Sequence, residues 1–524
     1  MSAGETLESY LGGKWVRGEG VETELVDPTK GSVLATASTR SIDLKSALEY
    51  ARERGGPALR AINYAERAKL LSAIADALVA NRARYEEIAI ANSGNTKLDA
   101  AIDIDGGIGT LKYYARLGTP LGAAKALLDE KPVRLAKAEN FQAIHLMVPR
   151  HGVAVHINAF NFPSWGLWEK AACALLSGMP VLAKPASATC WLSHQMVRDV
   201  VAAKLLPDGA LNLLCGGIGS LLDHVTAEDV IAFTGSSNTA SRIVGHRNVL
   251  ARGTRVNVEA DSVNAALLAP GCAPGTPAFD AFVKEVAREM TVKAGQKCTA
   301  IRRVFVPTER ADNVAEALAA RLAKTTVGDP RNETTRMGPL VSRAQQKMAL
   351  DGIQRLAREA KFVSGSADAP KLDGIDNAKS AFVAPTLLRA QNGEGQTIHD
   401  TEIFGPAATV IPYKSEADAF ALVARGGGSL VASVYGEDRD FLARAVTELG
   451  ASHGRILAVE PSIADSHTGH GIVMPQCHHG GPGRAGNGAE LGGLHGLSFY
   501  HQRVAVQGSS ELLASLQAQA APAH

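Results

Sequence analysis

No stretch of the 524-residue chain is apolar for long enough to span a bilayer. Met1 to Tyr10 carry acids and no apolar run, so they do not resemble a signal peptide. Charge of one sign is missing too: 54 Lys and Arg face 53 Asp and Glu, for a formal net charge of +1. That balance gives no reason to expect a nucleic-acid or membrane partner. Cysteine is scarce, with six residues scattered at 173, 190, 215, 272, 298 and 477. No CxxC pair occurs, which argues against a disulfide scaffold and fits a reducing cytoplasm. His467, His470, Cys477, His478 and His479 invite a metal reading, but their spacing matches no zinc pattern, so no metal site is expected. Internal repeats are absent, and no complete GxGxxG follows the first strand of the series below.

What is present is ordinary globular material, 46% hydrophobic and 20% charged. The length exceeds one core and predicts two or three domains. From about residue 150 a βα rhythm runs through strand-like Val153–Ile157, Val181–Lys184, Ala210–Cys215, Val230–Thr234 and Arg255–Glu259. Helical patterns fall between them at Trp165–Leu176, Trp191–Leu205, Ser220–Thr226 and Asn238–Gly245. Such alternation predicts an α/β fold with a parallel sheet covered on both faces, and ligands beyond the strands' carboxyl ends. A second α/β set follows, with strands at Arg303–Val306, Phe382–Leu388, Ala408–Tyr413, Leu430–Tyr435 and Arg455–Val459 and a helix at Ala311–Ala323. The glycine-dense His478–Gly496 segment is expected to be irregular, and Leu512–His524 to fray.

Candidate chemistry sits at the strand ends. Cys298, in Ala-Gly-Gln-Lys-Cys-Thr, has polar neighbours that favour a thiolate nucleophile, whereas Cys173 and Cys215 read as buried hydrophobes. Glu259 closes an apolar strand; it reads either as an ion-pair partner of Arg255 or as a general base. Gly235 and Ser236, where a strand turns into a helix, suit a pyrophosphate, although Ser236 or Ser237 also serves as a plain N-cap. Gly216–Gly219 is a weaker phosphate loop. Lys184 and Ser187 end the strand that meets the adenosine ribose in dinucleotide folds, and no acid stands there. Asn161 can donate to an oxyanion or merely serve the turn before Pro163.

The order of these pieces resembles the aldehyde dehydrogenase family along nearly the whole chain. The matching motifs are Tyr10–Trp15, Asn161-Phe-Pro163, Trp168-Glu-Lys170, Lys184-Pro185, Phe233-Thr-Gly-Ser236, Glu259, Gly295-Gln-Lys-Cys298, Val327–Pro330, Gly338-Pro-Leu340 and Glu402–Pro406. The resemblance implies a Rossmann-type cofactor domain (1–130 and 150–258) and an α/β catalytic domain (259–477). It adds a small β oligomerisation arm (131–149 and 496–510), a tail (511–524), and a homodimer or homotetramer.

It also implies roles. Cys298 attacks an aldehyde, Asn161 and the Cys298 N–H hold the oxyanion, and Glu259 activates water to hydrolyse the resulting thioester. Lys170 and Glu490 relay protons from that base. Lys184 meets the ribose, Ser236 the pyrophosphate, and Glu402 with Phe404 the nicotinamide ribose.

Three departures from the family pattern stand out: Ser187 replaces the usual acid, Phe160 the usual Trp, and Ala260–Asn264 the usual Leu-Gly-Gly run. The missing acid points to NADP, with NAD still usable. The stretches Pro475–Arg484, Glu490–Gly493 and Gln502–Gly508 look like a branch acting on CoA-linked semialdehydes in benzoate and phenylacetate breakdown. The substrate implied is 3,4-dehydroadipyl-CoA semialdehyde; a general medium-chain aldehyde or another CoA-linked semialdehyde stays open. Arg484 and the nearby histidines are expected to shape a wide entrance where a cation meets CoA phosphates.

Overall fold

The computed structural model describes residues 4–523. Its first large sheet has seven strands. Arg255–Glu259, Val230–Thr234, Ala154–Ile157, Val181–Lys184 and Leu211–Leu213 run parallel in that spatial order. Ser9–Leu11 and Lys14–Val16 close the edge antiparallel. Side chains alternate between two apolar clusters: Ala154, Val181, Ala183 and Val230 pack into one, Val155, Leu182 and Ile231 into the other. That alternation is why the strands read as continuous apolar runs: both faces are covered. The helices Trp165–Ser177 and Cys190–Ala202 supply part of one cover.

A second sheet, also of seven strands, places Ala360–Ser364, Thr386–Ala390, Ala407–Tyr413, Arg303–Pro307, Ala265–Leu268, Ser429–Tyr435 and His453–Val459 side by side. All but the first pairing are parallel. The expected strand at Phe382 starts four residues later, at Thr386, because Pro385 has no N–H to give the ladder. The expected helix at Ser220–Thr226 shrinks to a single tight turn, Leu221–His224.

Two other expectations are corrected. The segment His478–Gly496 is not irregular: His478–Gly481 pairs antiparallel with Gly488–Leu491 as a hairpin. Its glycines allow close backbone approach. A Cβ at Gly488 would stand 2.3 Å from the Val258 carbonyl oxygen, and one at Gly454 1.7 Å from that of Gly480. The hairpin is thereby pressed against the ends of strands from both large sheets. The last residues do not fray either. Ser510–Gln517 is a helix capped by Ser509, and its Leu513 is buried with Ile144 and Leu146. Ala520–Pro522 then pairs parallel with Ala126–Leu128. The same small sheet pairs Phe141–Pro149 with His501–Ser509 over nine residues each. Among the described residues no helix is long and apolar enough to cross a membrane.

Candidate active site

Cys298 lies past a strained turn. Lys293 and Ala294 have φ of 53° and 50°, a left-handed geometry that side chains rarely adopt. Gly295 follows at φ 68°, where a Cβ would come within 2.2 Å of the Gly405 oxygen. The turn is held by buried donors. Arg302 donates to the carbonyls of Gly295, Lys297 and Gly405. Asn264 donates to the Cys298 carbonyl at 2.7 Å and to that of Ala300 at 3.0 Å. The unusual run Ala260–Asn264 thus fixes the loop that carries the cysteine. Its Asp261 accepts from the N–H and hydroxyl of Ser237.

Cys298 opens onto a cavity shared with Asn158, Asn161, Trp165, Glu169, Lys170, Glu259, Val473 and His479. Asn161 donates its amide to the Gln296 carbonyl at 3.0 Å, which aims it toward the cysteine loop. The polar neighbours of Cys298 do not favour its thiolate as expected. Burial pushes the thiol well above its ordinary range, and the Glu259 carboxylate beside it adds to the shift. Lys297 offers no help, since its ammonium is taken by Glu289 at 2.6 Å.

Glu259 does not pair with Arg255, whose guanidinium instead donates to the carbonyls of Ser498, Phe499 and His501. It pairs with His479 at 3.1 Å. Burial alone would raise the Glu259 carboxyl; His479, Lys170 and the Cys298 hydrogen bond outweigh it and hold the group well below the carboxylate range. Behind it, Lys170 sits between Glu169 at 3.0 Å and Glu490 at 3.1 Å. Burial favours the neutral amine, but these carboxylates drive the Lys170 pKa upward. Glu490 also accepts from Asn257 at 2.9 Å. The structure therefore brings Cys298, Glu259, Asn161 and Lys170 around one space, with Glu490 behind Lys170 and paired to it.

The residues expected to meet a cofactor do not line the Cys298 cavity. Lys184 ends its strand buried, 3.5 Å from the Ser187 hydroxyl, which donates to the Gly216 carbonyl at 2.6 Å. Ser236 is the N-cap of the Ser237–Val244 helix, so the plain capping role holds, with Gly235 hydrogen-bonded to the Glu259 carbonyl. The Gly216–Gly219 loop is less free than expected, because the Gly217 N–H is taken by Glu22 at 3.1 Å. Phe160 meets Phe404 edge-on at 5.5 Å. Glu402 is pushed up to about 7 by burial. Thr234, beside Gly235, has a buried hydroxyl without a partner, an unmet polar group suited to a ligand at this strand end. The donors, carboxyl and aromatic pair fit a dinucleotide.

Arg484 does not line the cavity that holds Cys298. Its turn folds back on Gly427, and its guanidinium donates to the Asp400 carbonyl, on the Glu402 side. Nor do the histidines gather there. His470 is buried against Ser433, Cys477 is exposed, and His479 alone of that group reaches Glu259 and Cys298. Sequence reasoning missed the parts played by His479 and Glu169. A signal existed for the second: Glu169 and Lys170 are adjacent charges inside the apolar helix Trp165–Ser177.

This chain belongs to the aldehyde dehydrogenase family, whose model matches residues 15–506. It is an NAD(P)-dependent oxidoreductase acting on an aldehyde. It is 52% identical over 478 residues to the 3,4-dehydroadipyl-CoA semialdehyde dehydrogenase of Aromatoleum evansii, covering 91% of this chain and 93% of that protein. The 2-aminomuconic 6-semialdehyde dehydrogenase of a Pseudomonas species is 27% identical over 94% of this chain and 96% of its own. Among solved structures, lactaldehyde dehydrogenase of Escherichia coli superposes with a TM-score of 0.84 at 20% identity, over 96% of this chain and 99% of that one. An NAD+ complex of betaine aldehyde dehydrogenase from Staphylococcus aureus gives 0.82 at 22% identity, over 96% and 97%. These likenesses show the fold.

Proposed function

We propose that the protein oxidises 3,4-dehydroadipyl-CoA semialdehyde to 3,4-dehydroadipyl-CoA with NADP. The observation that carries this reading is the 52% identity to the Aromatoleum evansii enzyme across 91% of the chain. The site supports the steps. Cys298 adds to the aldehyde carbon, while the Asn161 amide and the Cys298 N–H hold the oxyanion. The nicotinamide, when bound, accepts the hydride. The acyl group is then a thioester on Cys298, and Glu259 takes a proton from the water that hydrolyses it. Lys170 and Glu490, joined at 3.1 Å, carry that proton away from the base.

The preference for NADP rests on the ribose end. Ser187 places a hydroxyl where a carboxylate would repel a 2′-phosphate, and the Lys184 ammonium stands 3.5 Å away. Residues 1–130 and 150–258 then form the cofactor domain and 259–477 the catalytic domain. The strands at 141–149 and 501–509 form the arm of a homodimer or homotetramer in the cytoplasm. The test compares kcat/KM for the CoA-linked semialdehyde and for free linear aldehydes of matching length, each with NADP and NAD. The reading predicts a higher value with the CoA handle, since remote binding energy orients the aldehyde, and a preference for NADP. Equal values for the two aldehydes would make the protein a general aldehyde dehydrogenase.

A further inference from the structure

Attack on an aldehyde needs Cys298 as a thiolate, beside a Glu259 that must itself be a carboxylate to serve as a base. Two buried anions in contact are costly unless a cation accompanies them. Lys170 is a poor candidate, because one ammonium already faces two carboxylates, Glu169 at 3.0 Å and Glu490 at 3.1 Å. His479 is buried, 3.1 Å from Glu259. Its ring nitrogen, a Glu259 oxygen and the Cys298 sulfur all lie within 4.8 Å of one another.

We propose that His479, as an imidazolium hydrogen-bonded to Glu259, is the counter-charge that makes the Cys298 thiolate accessible. It acts through Glu259 and is a positioning residue. The inference rests on reading Cys298 as the nucleophile. The proton that leaves Sγ passes along its hydrogen bond to the Glu259 carboxylate and from there to the neutral imidazole Nε2. The S–H bond breaks, an N–H bond forms, and the total charge of the buried site does not change. After hydrolysis the expelled thiolate again meets an imidazolium.

The surroundings agree. His479 faces Glu259 from the Arg255–Glu259 strand, Glu490 opposite it in the hairpin, and Glu169 and Lys170 from their helix. His478 adjoins it, Cys298 lies across the cavity, and Arg455 of the His453–Val459 strand is within electrostatic reach of Cys298. Three carboxyl groups thus stand against two fixed cations. Burial alone would favour the neutral ring, but Glu259 first, then Glu169 and Glu490, raise the His479 pKa.

The experiment is alkylation of Cys298 by iodoacetamide in the cofactor-free protein, followed on the Cys298 peptide by mass spectrometry between roughly pH 5 and 9. His479→Gln keeps a donor toward Glu259 but removes the cation. Its alkylation profile should inflect at least about one pH unit higher than the native one, so that labelling near pH 7 falls about tenfold or more. Superimposable profiles in native and His479→Gln protein would overturn the proposal. In His479→Ala, added imidazole should restore the labelling rate, and a rate indifferent to imidazole counts against it. Should Cys298→Ala keep its aldehyde oxidation, the nucleophile reading itself fails, an outcome distinct from an unmoved His479→Gln profile.

Discussion

Lys170 and Lys184 are both buried, at 3% and 9% exposure, yet their surroundings differ in kind. Lys170 is caged by Glu169 and Glu490, and these carboxylates hold its proton firmly despite burial. Lys184 has a hydroxyl as its near partner, and burial lowers its pKa. The first lysine is satisfied from within the protein and completes a charge network. The second is a desolvated cation with no carboxylate beside it, which is the condition of a group awaiting an anionic ligand. The comparison separates the charge network beside Cys298 from the proposed selection of cofactor at Ser187.

The strongest way to test that separation is to remove the nucleophile. Cys298→Ala should lower turnover by about 10⁴-fold or more, while cofactor affinity, read by fluorescence titration, stays at the native value. A parallel loss of cofactor binding would join the two regions. The lysines themselves come next. Lys170→Met strands Glu169 and Glu490 in a buried site and should cost about 3–5 kcal/mol in denaturant unfolding. Lys184→Met removes an uncompensated cation and should change stability by less than about 1 kcal/mol, yet weaken NADP. Equal destabilisation by both would erase the contrast.

A smaller effect is expected at the ribose. Ser187→Glu should move the ratio of kcat/KM for NADP over NAD toward NAD by about tenfold, as one repulsive contact of about 1.4 kcal/mol would give. An unchanged ratio would show that the 2′-position lies elsewhere. The smallest effect concerns Glu402. Burial pushes its carboxyl from 4.5 up to about 7, so it gains its charge only as pH rises through that value. A carboxylate accepts ribose hydroxyls better than a carboxylic acid does. Cofactor affinity should therefore tighten a few-fold from about pH 6 to 8, and Glu402→Gln should flatten the dependence.

The Lys184–Ser187 pair was legible in the sequence because its parts are contiguous. A strand ending in Lys184 and a hydroxyl three residues on place themselves by local geometry. The strand cores were legible for the same reason: Val181–Lys184, Val230–Thr234 and Arg255–Glu259 fall where their apolar runs predict. The charge network was not. Glu259, Cys298, His479 and Glu490 converge only after two sheets and a hairpin have packed, and the glycines at 480 and 488 that let them do so read as part of an irregular segment. Nothing local shows that Arg255 turns away from Glu259 toward backbone carbonyls while His479 takes its place. Polar neighbours in the sequence likewise misled about Cys298, because Lys297 points to Glu289 and burial decides the thiol's charge.

The most direct measurement of the mechanism uses Glu259→Gln mixed with NADP and the CoA-linked semialdehyde under stopped flow, with the protein mass taken after the first turnover. The account predicts one equivalent of reduced cofactor per site, formed more slowly than in the native protein because glutamine cannot pass the Cys298 proton on to His479, followed by turnover about 10²–10⁴-fold slower than native. It also predicts an acyl adduct on the peptide carrying Cys298. Native steady-state turnover with no adduct on Cys298 would contradict both the base and the nucleophile.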